Sequence, residues 1–171
     1  PFYGWGVYGD LKNSKMNAVY LGDASLGLGR DYYQKDSPKN TETIEEYKKY
    51  VAQVLTELGY KDAASVAAQI VDFEKKMAKT LLTNEQIRDS NLQYNPKTLP
   101  ELKALVKNID LPKYLANVGV KTDKVIIGEL GYYKNLDTFL TEKNIPLIKD
   151  YIKFNLVSGS AGYLSQKLDD M

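Results

Sequence analysis

Two consecutive apolar stripes at helical spacing constrain this chain more than any other feature. Ile44, Tyr47, Val51, Val54, Leu55 and Leu58 recur at intervals that place them on one face of a helix over 41–58. Val66, Ile70, Phe73, Met77 and Leu81 do the same over 62–82. Only Gly59-Tyr-Lys61 separates them, so the two helices must double back as an antiparallel hairpin that buries both stripes. Thr41 or Thr43 suits the start of the first helix, Gly59 its C-terminal stop, and Asp62 the N-cap of the second.

The flanking segments read differently. Trp5 to Gly9 and Met16 to Leu21 read as strands, and Asp10-Leu-Lys-Asn-Ser-Lys15 between them supplies turn residues, so a small β-hairpin is expected near the N-terminus. Gly27 and Gly29 then interrupt regular structure before Arg30. Residues 84–97 read as a connector ending in Tyr94-Asn95-Pro96. Thr98-Leu-Pro-Glu101 is a capping-box pattern with proline in the first turn, opening a helix to about Lys107. Asp110-Leu-Pro112 begins another, ending near Gly119. Val125-Ile-Ile127 is a candidate short strand, 131–140 a helix, and Pro146 opens a last helix carrying Ile148, Ile152, Leu156 and Leu164, loosened at Ser158-Gly-Ser-Ala-Gly162. The expected fold class is mainly α, a helical bundle with a small N-terminal β-hairpin.

The side-chain inventory bounds the chemistry. There is no histidine and no cysteine among 171 residues. Serine or cysteine nucleophiles activated by imidazole are therefore excluded, as is a zinc site built from imidazole or thiolate ligands. Carboxylates alone can bind a metal, but no spacing in the chain points to such a site. The charge balance, 23 basic against 22 acidic residues, leaves no electrostatic footprint for nucleic acid. No apolar run is long enough for a membrane-spanning helix. The first residue is Pro1, not Met, which reads as a piece of a longer protein.

Several motifs match functional patterns only in part. Gly4-Trp-Gly6-Val-Tyr-Gly9 matches a dinucleotide fingerprint in spacing, yet a turn follows where a helix is required. The serine-glycine run at 158–162 has no base to activate Ser160. Asp10, Lys12 and Ser14 lack the glycine and terminal glutamate of a calcium loop. Asp169-Asp170 reads as a solvated chain end. The 14 tyrosines read mostly as buried residues with bonded hydroxyls. Arg30-Asp31 and Arg88-Asp89 read as arginines that pin loops through carboxylates or carbonyls, with a cavity-facing charge that meets substrate as the alternative.

Three segments together resemble the neprilysin and endopeptidase O family of zinc metallopeptidases. The first is Asp10-Leu-Lys-Asn-Ser14 leading into Leu26-Gly-Leu-Gly-Arg-Asp-Tyr-Tyr33, where the family has an extra residue or two before the arginine. The second is Phe73-Glu-Lys-Lys-Met-Ala78 leading into Ile87-Arg-Asp-Ser-Asn-Leu-Gln-Tyr-Asn-Pro-Lys-Thr-Leu99. The third runs from Tyr132-Tyr-Lys-Asn-Leu136 through the last helix. Order and spacing agree over nearly the whole chain.

The resemblance implies a two-lobed architecture in which 1–171 is part of the N-terminal, non-catalytic lid. It implies a parent that cleaves oligopeptides using zinc held by His-Glu-x-x-His in a separate catalytic domain, which would be this chain's partner along with peptide substrates. The lid would limit substrate size by enclosing the cavity. No catalytic or metal-binding residue carries over, and the family's arginines that hold the substrate C-terminus map outside the segment. Arg30, Asp31, Tyr32, Tyr33, Glu74, Arg88, Asp89, Tyr94 and Asn95 match family motifs and are expected to be structural. The parent is expected outside the cytoplasm, periplasmic or at the cell surface, with a cytoplasmic location as the alternative. A free-standing helical binding module and a carboxylate-only enzyme such as a glycosidase are the competing functions.

Overall fold

A computed structural model describes residues 2–159. The expected helical hairpin forms its centre. Helix α2 (Pro38–Glu57) starts earlier than Thr41, because Ser37 accepts the Asn40 amide at its side chain and Pro38 occupies the first turn. Tyr47, Val51, Val54 and Leu55 are buried as the stripe requires, whereas Leu58, at the C-cap, is exposed. Gly59 then adopts φ +92°, a conformation that favours glycine and turns the chain back. Helix α3 (Ala63–Ala78) follows; Asp62 holds the N-cap position, but its side chain makes no capping bond. Leu81 lies beyond the end of α3 and is still buried.

The hairpin near the N-terminus is real and belongs to a larger sheet. Strands β1 (Gly4–Asp10) and β2 (Asn13–Gly22) pair antiparallel, with Trp5 opposite Leu21 and Val7 opposite Val19. Strand β4 (Lys124–Ile127) adds to β2 in parallel, setting Tyr20 beside Ile126. Strand β3 (Asn95–Thr98) pairs antiparallel with β4, giving the order β1-β2-β4-β3. The segment expected as a connector thus ends in a strand. Pro96 and Lys97 hide it from any reading of β propensity, and it persists as an edge strand whose pairing is supplied by β4.

Short helices fill the remaining connections. α1 (Arg30–Gln34) follows the break at Gly27 and Gly29, and α4 (Asn84–Ile87) opens with a reciprocal capping box between Thr83 and Gln86. The capping box foreseen at Thr98 and Glu101 opens α5 (Leu99–Leu105). α6 (Leu111–Asn117) is capped by Asp110, whose carboxylate accepts the Lys113 amide. α7 (Leu130–Phe139) and a 3₁₀ turn lead into α8 (Ile145–Gly159), which packs on both α2 and α3. The readings placed on Ser160, Gly162, Leu164 and Asp169-Asp170 lie outside the described residues.

An aromatic core joins the layers. Phe73 of α3 meets Phe2, Phe139 and Tyr151 at centroid distances of 5.9, 5.8 and 6.1 Å. Edge-on contacts of this kind add to simple area burial. The hydroxyls of Tyr132 and Tyr133 donate to the carbonyls of Phe2 and Gly22, tying α7 to the N-terminal segment and the end of β2.

Candidate functional site

Glu74 lies on the apolar face of α3, between Phe73 and Met77, and its side chain is fully buried. A carboxylate in that position must be hydrogen-bonded or neutral. Oε1 accepts the Tyr47 hydroxyl at 2.7 Å. Oε2 accepts the Tyr33 hydroxyl at 2.8 Å and the Gly27 amide at 2.7 Å. Burial pushes the Glu74 carboxyl above the usual glutamate range, against the opposing pull of the Gly27 amide and of the Tyr47, Tyr33 and Tyr151 hydroxyls. The Tyr33 and Tyr47 hydroxyls are themselves driven up, first by burial and then by the Glu74 charge.

Gly27 is fixed by this cluster. A methyl group at its α-carbon would stand 1.9 Å from the Tyr47 hydroxyl oxygen, so no larger residue fits without displacing the tyrosine. The Tyr33 hydroxyl also accepts the Leu28 amide at 3.3 Å, which draws the glycine-rich loop onto α1 and α3.

A second knot centres on Arg30. Its Nη1 donates to the Leu82 carbonyl at 2.8 Å and to Glu129 Oε1 at 2.7 Å, and its Nη2 reaches Asp23 Oδ2 at 3.3 Å. Glu129 Oε2 accepts the Leu82 amide at 2.8 Å. One guanidinium and one carboxylate therefore bind the backbone carbonyl and the backbone amide of Leu82 and lock the exit of α3 to the end of β4. Gln34 completes the arrangement by donating to the carbonyls of Ala78, Leu81 and Leu82. A cavity of about 350 Å³ opens beside this knot, lined by Leu11, Tyr20, Asp23, Arg30, Gln93 and Glu129 among others.

The other motif residues are dispersed. Asp31 gives its carbonyl to the Lys35 amide, and its Oδ1 is buried with no partner among the described residues. Tyr32 is partly exposed on α1. Tyr94 donates to Asp10 Oδ1 at 2.8 Å, and the Lys12 ammonium sits 4.8 Å from its ring centroid. The Lys12 amide and the Tyr94 hydroxyl hold the Asp10 carboxyl below the usual range. Asn95 donates to the Leu92 and Ile127 carbonyls. Arg88 and Asp89 are exposed; Asp89 accepts the Asn91 amide in a local turn. Arg88 has no ion pair among the described residues.

Sequence reasoning did not single out Gly27, Gln34, Tyr47, Asp23 or Glu129 as site residues. Two signals were present: Glu74 interrupts an apolar stripe, and Glu129 lies two residues beyond a buried strand. Each marks a carboxylate that burial forces to find a partner.

The donor set does not fit a zinc ion. There is no imidazole or thiolate. Among the described residues no group of three or more potential ligands converges. Glu74 is saturated by hydroxyls and an amide, and Glu129 by Arg30 and a backbone amide. The arrangement binds loops to helices; it offers no paired nucleophile and base.

The model of peptidase family M13 matches residues 1–171. Endothelin-converting enzyme 1 of Cavia porcellus is 28% identical over 99% of this chain, which corresponds to 24% of that enzyme. A neutral endopeptidase of Lactococcus lactis subsp. cremoris is 25% identical over 97% of the chain and 27% of its own length. The chain thus spans about a quarter of the length of these relatives. Among solved structures, the Mycobacterium tuberculosis zinc metalloprotease Zmp1 in its open state superposes over 95% of the chain and 26% of its own, with a TM-score of 0.83 at 21% identity, a likeness of fold.

Proposed function

The chain belongs to peptidase family M13, and from that membership we propose that it forms part of the lid of a zinc metalloendopeptidase that cleaves oligopeptides. The lid contributes enclosure. Walls around a cleft admit a flexible peptide, turn away a folded protein and keep bulk water from the reacting bond. The zinc and its ligands would come from polypeptide outside these 171 residues, because the chain has no imidazole or thiolate with which to hold the metal. The observation that carries the reading is the family match along the whole chain, joined to a side-chain set without imidazole or thiolate.

Within that lid, Arg30, Tyr33, Glu74, Tyr94 and Asn95 are framework residues. Each bonds segments distant in sequence, and a wall that must hold its shape against a moving partner needs such ties. Tyr32, Arg88 and Asp89 belong to the same framework segments at its surface, and Asp31 is half-buried beside them.

The test compares this chain with the full-length parent on a fluorogenic oligopeptide and on a folded protein, each with added zinc. The chain alone should hydrolyse neither. The parent should cleave the peptide, lose that activity to a chelator and spare the folded protein. Hydrolysis by residues 1–171, or equal rates on both substrates by the parent, would refute the proposal.

A further inference from the structure

Strand β1 forms one edge of the sheet, and no strand among the described residues pairs with its outer side. Sheet edges are normally guarded by short length, proline, lysine or a bulge, because an open row of amides and carbonyls recruits another strand. The opposite edge is guarded in this way: β3 has four residues, including Pro96 and Lys97. β1 has seven residues, no proline and no lysine, and its single charge, Asp10, sits at the end where the register shifts.

The same strand overhangs the core. Pairing places Trp5, Val7, Val19 and Leu21 on one face. Leu21 and Val19 of β2 are 5% and 8% exposed; their β1 partners Trp5 and Val7 are 41% and 52% exposed. The core therefore reaches under β2 and stops short of β1. Trp5 and Val7 look into a groove of about 440 Å³ shared with Val19, Val120 and Ile126. A second cleft of about 300 Å³ lies along the same strand, lined by Tyr3, Gly4, Trp5, Gly6, Tyr8 and Tyr20 among others. A free edge with two clefts beside it suits an added strand, whose side chains can enter them.

We propose that β1 takes a fifth strand, an extended apolar segment of the parent polypeptide outside residues 1–171. The occupant follows from length and charge. The relatives carry about three times as much chain again as is present here. Lys121, Asp123 and Lys124 at the groove give mixed signs that select no strongly charged partner. The inference rests on the M13 lid reading and concerns how the lid is held to the rest of the enzyme.

Amide hydrogen exchange read by mass spectrometry tests it, on this chain and on the full-length parent. In the chain alone, the free-edge amides within Gly4–Gly9 should exchange at the rate of exposed backbone. In the parent they should slow by about 100-fold or more, as paired strands do. In the parent, Trp5→Lys with Val7→Lys should restore fast exchange at β1 while β2 and β4 stay protected. Equal exchange in chain and parent overturns the proposal even if the variant fails to fold. Protection that grows with the concentration of the isolated chain assigns the edge to a second copy, and protection that appears only with added oligopeptide assigns it to substrate; either overturns it. A parent that cleaves peptides but leaves β1 unprotected removes the strand and keeps the lid. A parent without zinc-dependent peptidase activity removes the lid reading itself.

Discussion

The Tyr47 hydroxyl donates to Glu74 Oε1 at 2.7 Å, joining α2 to α3 through side chains 27 residues apart. The bond is made inside the core, where Glu74 is inaccessible to solvent. Because the other oxygen holds Tyr33 and Gly27, one carboxylate ties together two long helices, the short helix α1 and the glycine-rich loop.

Replacing Glu74 should show the cost of leaving its partners bare. Glu74→Ala removes acceptors from two hydroxyls and an amide and opens a cavity, so it should cost about 3–5 kcal/mol. Glu74→Gln keeps the volume and can still accept from Gly27 and Tyr33 while its amide donates to Tyr47; about 1–2 kcal/mol is expected. Urea unfolding of the three proteins measures both, and equal losses would contradict the hydrogen-bond account.

The same residue gives stability a pH dependence of defined sign. The folded chain holds the Glu74 proton more tightly than the unfolded chain does, since the carboxyl is raised on folding. Below the unfolded value, about 4.3, both states are protonated. As pH rises from there to the raised folded value, the unfolded chain ionises first, and this group's contribution falls. The deficit of Glu74→Gln relative to the parent sequence should therefore be greatest at acid pH and narrow as pH rises through that window. Thermal melts of both proteins across the range provide the comparison.

Gly27→Ala should act through Tyr47. The new methyl stands where the phenol lies, with the hydroxyl oxygen at 1.9 Å and the adjacent ring carbon at 2.3 Å. Overpacking of this kind costs about 1–3 kcal/mol. Because the displaced tyrosine no longer reaches Glu74, Tyr47→Phe should cost less in the alanine background than in the natural one. Strict additivity in the double-mutant cycle would show that the two residues do not share the site.

Arg30 and Glu129 form a largely buried pair, at 18% and 10% side-chain exposure. Removing one charge strands the other, so Arg30→Ala should cost about 3–5 kcal/mol. Arg30→Lys should recover only part of it, because a point charge cannot meet the Leu82 carbonyl, Glu129 and Asp23 together. Adding Glu129→Gln to Arg30→Ala should restore some stability by neutralising the stranded carboxylate. The cycle is read from denaturant midpoints.

Much of the fold was legible because its signals were local. Apolar period, Gly59 and the Thr98–Glu101 capping box each act within a few residues, and the helical hairpin, α5 and β4 follow from them. β3 was hidden because Pro96 and Lys97 carry no strand signal and its pairing comes from β4. The cluster was half legible. Glu74 and Arg30 stood out as family positions, but Tyr47 looked like any stripe residue and Glu129 like any exposed acid. Their meaning depends on which segments meet, and pairwise spacing does not encode that.

The parallel pairing of Tyr20 with Ile126 has a bearing on how the chain is made. The β1–β2 hairpin leaves the ribosome before β4 and can close by itself, but its inner edge has no neighbour until α1 through α6 have been synthesised and β4 emerges. For that interval the flank of β2 that β4 will occupy stays open. The helical hairpin, complete in between and built on nearby contacts, can therefore condense before the four-stranded sheet has all its strands.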